Sequence, residues 1–219
     1  LSQYYFITGT DTEVGKTYVT TLLARTVGEL GYRVACYKPV ASGGVYQDGQ
    51  LRNEDGVALW QAANSSQSYK EVNPFCFEQA IAPHIAAKEK GQKVTLEMVK
   101  KHACFPNSDC VFIEGAGGFL VPLNESESFS EIPLTINSKI ILVVGMRLGC
   151  INHALLTLES IRSRGLEIAG WIANQVDKNM EAFEDNLVTL KNMIPEAYLG
   201  MVNYQGTRIK GLPEKFLMS

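Results

Sequence analysis

An α/β fold, with a mainly parallel sheet covered by helices on both faces, is the architecture this sequence predicts. Short apolar, β-rich runs alternate along the chain with longer segments of helical periodicity, and parallel strands need such crossovers to return to the sheet. The first run passes through a glycine-containing turn straight into an apolar-periodic helix. A length of 219 residues, 46% hydrophobic and 20% charged, suits one soluble domain spanning residues 1–219.

In order, YYFIT predicts a strand over residues 4–7, followed by a helix over 16–30 and a strand in YRVACY. A helical pattern covers 55–63, and CVFIE and KIILVVG read as buried strands. Helices over 151–164 and 180–193 flank a strand in LEIAGWIAN, and Pro195 stops the second of them. Gly31 and Gly165 stand where helices would end in a left-handed residue. Residues 72–77 and 125–133 read as loops, and the last twenty residues are weakly patterned.

Net charge −3 and a pI near 5.7 leave no basic face for nucleic acid, whose phosphates need clustered Lys and Arg. Small molecules or proteins are the expected partners. The five cysteines (Cys36, Cys76, Cys104, Cys110, Cys150) include no C-x-x-C pair, which predicts reduced thiols in the cytoplasm. No apolar run reaches a membrane span's length of roughly 20 residues, and no basic flank precedes an apolar signal core. A first residue of Leu rather than Met suggests a trimmed start.

The stretch GTDTEVGKT, residues 9–17, follows the first strand and opens the first helix, where backbone N–H groups and the helix dipole face an anion. Five residues separate its glycines, one more than in the common phosphate-binding loop. Lys16 would reach the β- and γ-phosphates, and the Thr17 hydroxyl would join a magnesium shell. The wider loop lets Thr12 and Glu13 turn toward whatever lies beside the γ-phosphate, or merely solvate the turn. CVFIE ends in Glu114, an acid placed to hold magnesium before Gly115, Ala116, Gly117 and Gly118, whose amides can approach an anion; the alternative is a solvated strand-end acid. Asp55 reads either as a metal ligand or as a first-turn helix acid. Lys38, closing YKPVASGG, is either a solvated charge or a second fixed cation beside the transferred phosphoryl group. Ser42, Gly43 and Gly44 form a turn that could hold an acceptor. Asn174, followed by Gln175, could pair with either purine or cap the next segment.

With GTDTEVGKT, YKPVASG, Asp55, VNPF, APHIAA, EGAGG, LGCINHALLT and GWIAN in this order, the sequence resembles the dethiobiotin synthetases over residues 4–200. The resemblance implies a single-domain fold of the P-loop nucleoside-triphosphatase kind and a homodimeric, magnesium-dependent ligase. Such a ligase joins 7,8-diaminopelargonic acid, carbon dioxide and ATP. It implies that Lys16 and Lys38 flank a carbamate and the transferred phosphoryl group, that Thr17, Asp55 and Glu114 surround Mg2+, and that Thr12 and Ser42 touch substrate. For ATP it implies Glu13, Val14, Gly15, Lys16, Thr17 and Tyr18 in the loop, with Asp55, Glu114, Gly115, Ala116 and Gly117 near the phosphates. Asn174 and Gln175 belong to the adenine side, where Asn203, Tyr204, Gln205 and Glu214 are assigned by position alone. Gly149, Cys150 and Asn152, at a helix start near the dimer interface, would bind the substrate carboxylate of the neighbouring subunit.

Two features depart from the family pattern: MVNYQGTRIKGLPEK after Gly200, and Gly56 where Ala usually follows the magnesium Asp. Gly56 weakens a helix start by up to about 1 kcal/mol. Partitioning ATPases, one rival class, carry a signature Lys where this chain has Asp11. Cobyrinic acid amide synthetases, another, need a glutaminase domain for which 219 residues leave no room.

Overall fold

A computed structural model describes residues 2–213. Its elements are β1 (Gln3–Gly9), α1 (Lys16–Glu29), β2 (Val34–Tyr37), β3 (Val40–Ser42), β4 (Val45–Gln47), β5 (Gln50–Arg52), α2 (Glu54–Ala62), α3 (Tyr69–Val72) and β6 (Phe75–Phe77). They continue with α4 (Pro83–Glu89), α5 (Leu96–His102), β7 (Cys110–Glu114), a 3-10 turn (Phe129–Glu131), α6 (Ile132–Ile136), β8 (Lys139–Met146), α7 (Cys150–Arg162), β9 (Ile168–Gln175), α8 (Phe183–Met193) and β10 (Tyr198–Val202). Glu214 lies outside the described residues.

The main sheet is parallel throughout, in the order β10-β9-β8-β1-β7-β2. Side chains alternate across it, as a period of two requires. Tyr5, Ile7, Cys36, Phe112, Val143 and Ile172 face one way, into a cluster with Val19 and Leu23 of α1 and Leu59 of α2. Phe6, Tyr37, Val111 and Ile113 face the other, toward Ala86 of α4 and Val99 of α5. Farther along that second face, Leu142, Val144 and Trp171 pack on Leu158 of α7 and Leu190 of α8. Helices thus cover both faces, and the strands read as apolar runs because neither side meets water.

Several short elements differ from the expectation. β10 adds a sixth strand, and residues 72–77 hold the end of α3 and β6, which pairs in parallel with β3. Residues 125–133 contain the 3-10 turn and the start of α6. α8 begins at Phe183, not at residue 180, behind Ala182 in the left-handed conformation (φ 51°). β10 is edged by a returning segment, with Met201 bridged to Lys210, and a Cβ on Gly200 would collide with the Lys210 carbonyl.

Gly170 lets β9 and the chain entering β10 come close: a Cβ there would lie 2.5 Å from the Ala197 carbonyl oxygen and 2.7 Å from Leu199 Cγ. We therefore expect Gly170→Ala to destabilise the fold by about 2 kcal/mol through overpacking. Urea unfolding should show a lower midpoint at unchanged slope. A midpoint equal to wild type would contradict this packing.

Candidate active site

The site gathers at the carboxyl ends of β1, β2, β7, β8 and β9, where a parallel sheet of this order opens its crevice. After β1 the chain crosses Glu13, which adopts a left-handed φ of 59°, and Gly15 at φ 79° before Lys16 starts α1. These two reversals fit the extra residue into the loop. Val14, between them, is buried: a Cβ on Gly9 or on Gly145 would lie 2.5 or 2.6 Å from its methyl groups. Its side chain anchors the loop to β1 and β8, so only its backbone can face a nucleotide. Asn174, buried at the end of β9, donates from Nδ2 to the Val14 carbonyl at 2.9 Å, and any Cβ on Gly15 would collide with that amide. In this structure Asn174 braces the phosphate loop and does not cap the following segment.

Beside the loop, four charged groups meet. Glu114, fully buried, accepts from the Thr17 hydroxyl at 2.7 Å and from Lys38 Nζ at 2.6 Å, both on Oε1. Lys38 Nζ also lies 3.4 Å from Asp55 Oδ2, whose side chain is 49% exposed. Burial alone would lower the Lys38 pKa, but the charges and hydrogen bonds of Glu114 and Asp55 outweigh it, so the pKa is raised and the ammonium stays protonated. Lys16 differs. Burial dominates there, Glu114 compensates only partly and Lys38 repels, so its pKa falls to about 8. Its Nζ donates to the Asp11 carbonyl at 3.2 Å.

Phosphate oxygens favour the ammonium form, so anion binding must raise the Lys16 pKa. At pH 8 about half of Lys16 is neutral, and nucleotide binding should therefore take up as much as about 0.5 proton per site. Titration calorimetry in two buffers of different ionisation enthalpy measures this uptake. The Lys16 contribution should vanish near pH 6, where the group is already protonated; equal heats in both buffers at pH 8 would contradict the assignment.

The hydroxyl of Thr17 and the carboxylates of Asp55 and Glu114 form an all-oxygen donor set, which suits a hard cation such as magnesium. Glu114 Oε2 is buried without a hydrogen-bond partner, an orphan that a metal or its water shell would satisfy. Among the described residues no three His, Cys, Asp or Glu converge as a thiolate or imidazole metal centre would require.

A cavity of about 880 Å3 opens over these groups, lined by Thr12, Glu13, Gly15, Lys16, Thr17, Tyr18, Lys38, Ser42, Asp55, Ala116 and Gly117 among the sequence-predicted residues. Val40, Ala41, Ala80, Ile81, Pro83 and Val121 supply an apolar side. Gly115 is buried beneath it, donating its amide to the Ile7 carbonyl at 3.0 Å, so its N–H is committed to the sheet. Gln175 accepts from the Tyr204 amide at 3.2 Å, and Tyr18 donates to the Gly206 carbonyl at 2.8 Å, which brings the 203–206 loop beside α1. Asn203 has a buried, unpartnered Oδ1, and Gln205 turns left-handed at φ 53°.

Gly149, Cys150 and Asn152 do not line this cavity. Cys150 is buried, and its amide already donates to the Arg147 carbonyl at 3.0 Å; Asn152 is exposed. Asp11 forms an ion pair with Arg147, so the position where partitioning ATPases carry Lys is acidic and already neutralised.

Sequence reasoning missed the polar chain that fixes the site's walls. Asn53 caps α2 by accepting from Gly56 N at 3.2 Å and donates to the Ser42 carbonyl at 2.9 Å. The Asn53 amide donates to the Tyr69 hydroxyl (2.8 Å), which donates to Asn73 (3.0 Å), whose Nδ2 donates to the Lys38 carbonyl (2.7 Å). One buried network thus sets Lys38, Ser42 and the Asp55 helix. Gly56 has its reason here: a Cβ would sit 3.1 Å from both the Tyr69 hydroxyl and Asn73 Cβ.

Known proteins place the chain. A family described as an AAA domain matches residues 3–208. A protein of Cellvibrio japonicus named ATP-dependent dethiobiotin synthetase is 42% identical over 200 residues, 90% of this chain and 88% of its own. Its namesakes in Pseudomonas paraeruginosa (43%, covering 90% and 88%) and Yersinia pestis (42%, covering 93% and 86%) are equally similar. Among solved structures, MinD of Pyrococcus horikoshii aligns with TM-score 0.55 at 18% identity, covering 99% of this chain and 89% of that one. Chloroplast FtsY of Physcomitrella patens aligns at 0.52 and 12% identity, covering all of this chain but only 64% of FtsY. Those two likenesses establish the P-loop nucleoside-triphosphatase fold alone. Sequence identity across nearly the whole length, joined to the widened phosphate loop and the two buried lysines beside it, shows the family: the chain belongs to the ATP-dependent dethiobiotin synthetases.

Proposed function

We propose that this chain closes the ureido ring of dethiobiotin from 7,8-diaminopelargonic acid, carbon dioxide and ATP, by way of a carbamate and a carbamic-phosphoric anhydride. The observation that carries the reading is the pair of buried ammoniums, Lys16 and Lys38, at one cavity that continues past the phosphate loop to Ser42 and an apolar wall. A nucleotide hydrolase needs no such second compartment.

One amine of the diamine adds to carbon dioxide and loses a proton, giving a carbamate. A carbamate oxygen attacks the γ-phosphorus, and ADP leaves. The second amine then attacks the carbonyl carbon, the C–O bond breaks and inorganic phosphate departs with that oxygen. Lys16 holds the phosphates, and Lys38 offsets negative charge on the carbamate and the moving phosphoryl group. Gly117, at φ 64° on the cavity wall, keeps its backbone within reach of the phosphates because it carries no side chain of its own. Thr17, Asp55 and Glu114 would hold magnesium, which when bound neutralises phosphate charge. No side chain becomes a covalent nucleophile; positioning by the loop and the polar network does the work. Asn174, Gln175 and the loop of Asn203, Tyr204 and Gln205 would receive the adenine. The helix start with Gly149 and Asn152 would meet the substrate carboxylate across a homodimer, in a cytoplasmic enzyme.

Labelled bicarbonate, diaminopelargonate, ATP and magnesium should yield acid-stable label with ADP in equal amount. ATP turnover without labelled product would overturn the proposal.

A further inference from the structure

Lys38 stands in an unusual relation to the groups suited to magnesium. Its ammonium bonds Glu114 Oε1, the oxygen that also accepts the Thr17 hydroxyl proton, and reaches Asp55 on its other side. Both carboxylates of the cation niche are therefore already turned toward one positive charge, and the Thr17 hydroxyl is spent on the oxygen that Lys38 holds. Lys38 thus bridges the two carboxylates, Glu114 and Asp55, in the absence of nucleotide. A dication entering it would place a second cation against Lys38 at low dielectric, which is strongly disfavoured. The Thr17 hydroxyl would also have to turn its proton away from Glu114 to offer a lone pair.

We propose that Lys38 is the resident cation of the nucleotide-free site and that magnesium, arriving with the nucleotide, exchanges with it for Glu114. The exchange has two consequences. Glu114, fully buried, is never left uncompensated, and removing one partner of a buried ion pair is strongly destabilising. Lys38 is released from its salt bridge only when the phosphates are in place, so the ammonium faces the acceptor at the moment charge develops there. The inference rests on the assignment of Thr17, Asp55 and Glu114 to the metal, but not on the identity of the acceptor.

The test uses the full chain and no turnover. Manganese, a paramagnetic substitute for magnesium, is titrated in the presence of ADP and followed by electron paramagnetic resonance, for wild type and Lys38→Met. With the competing ammonium removed, affinity should rise at least about tenfold, and the variant's melting temperature should rise with manganese far more than wild type's does. Equal affinities and equal thermal shifts would overturn the proposal. Should Lys38→Met fail to fold, wild type itself decides. With lysine side chains labelled at 13Cε and 15Nζ, the Lys38 resonance should move on adding magnesium with ADP, and remain in place with ADP and a chelator. A Lys38 resonance unmoved by the magnesium complex would overturn it as well. Failure to form dethiobiotin would leave these readouts intact, and failure of the exchange would leave the carboxylation intact.

Discussion

Lys38→Met should lower kcat for dethiobiotin formation at least about a hundredfold, with no rise in the KM for ATP at saturating magnesium. The reason is where the charge sits. Lys38 lies off the phosphate loop, at the end of β2, with its Nζ held by Glu114 and Asp55 on the side of the cavity that continues to Ser42. A cation there is positioned to act on charge that develops during transfer, not on the charge ATP brings. Methionine keeps the apolar stem and removes only the ammonium. Folding is checked by circular dichroism in saturating magnesium, since without metal the variant leaves Glu114 unpaired. Near-normal kcat in the folded variant would reject the role.

Lys16→Ala should fail in a different way. Its side chain is nearly enclosed by the loop, 8% exposed, and curls back to the Asp11 carbonyl. It therefore meets phosphate in both ground and transition states. We expect kcat/KM for ATP to fall at least about a hundredfold, with a rise in KM as well as a loss in kcat. The variant should also lose the proton uptake on nucleotide binding at pH 8, because the titrating group is gone. Proton uptake that persists in Lys16→Ala would assign the titration to another group.

The framework was readable because buried parallel strands carry their own signal. Runs such as CVFIE and KIILVVG are apolar on both faces, and each joins a segment long enough to show helical periodicity. What escaped was short or held from a distance. α4 and α5 have seven residues each, two turns, too few to separate a 3.6 period from chance. β10 contains Gly200 at φ 127°, which breaks its alternation. The β4–β5 hairpin was also missed, although Asp48-Gly49, with both residues at positive φ, is a strong short-range turn signal.

The site divides in the same manner. Lys16 and Thr17 declare themselves by local spacing, and Glu114 by its place at a strand end before glycines. The braces do not: Asn174 reaches Val14 across 160 positions, and Arg147 reaches Asp11 across 136. Asn53, Tyr69 and Asn73 are ordinary residues until the fold lines them up between Ser42 and Lys38. Cys150 and Gly115 show the converse. Each stands at an expected position, yet its amide is committed to the backbone, to Arg147 and Ile7 respectively.

The chemistry assigned to this cavity can be followed by oxygen. If a carbamate oxygen attacks the γ-phosphorus and ring closure breaks the C–O bond, that oxygen must leave with phosphate. Turnover with 18O-enriched carbon dioxide, quenched before exchange with water, should place one labelled oxygen in each inorganic phosphate formed with dethiobiotin, as read by the 31P isotope shift. Dethiobiotin accompanied by unlabelled phosphate would contradict a phosphorylated carbamate.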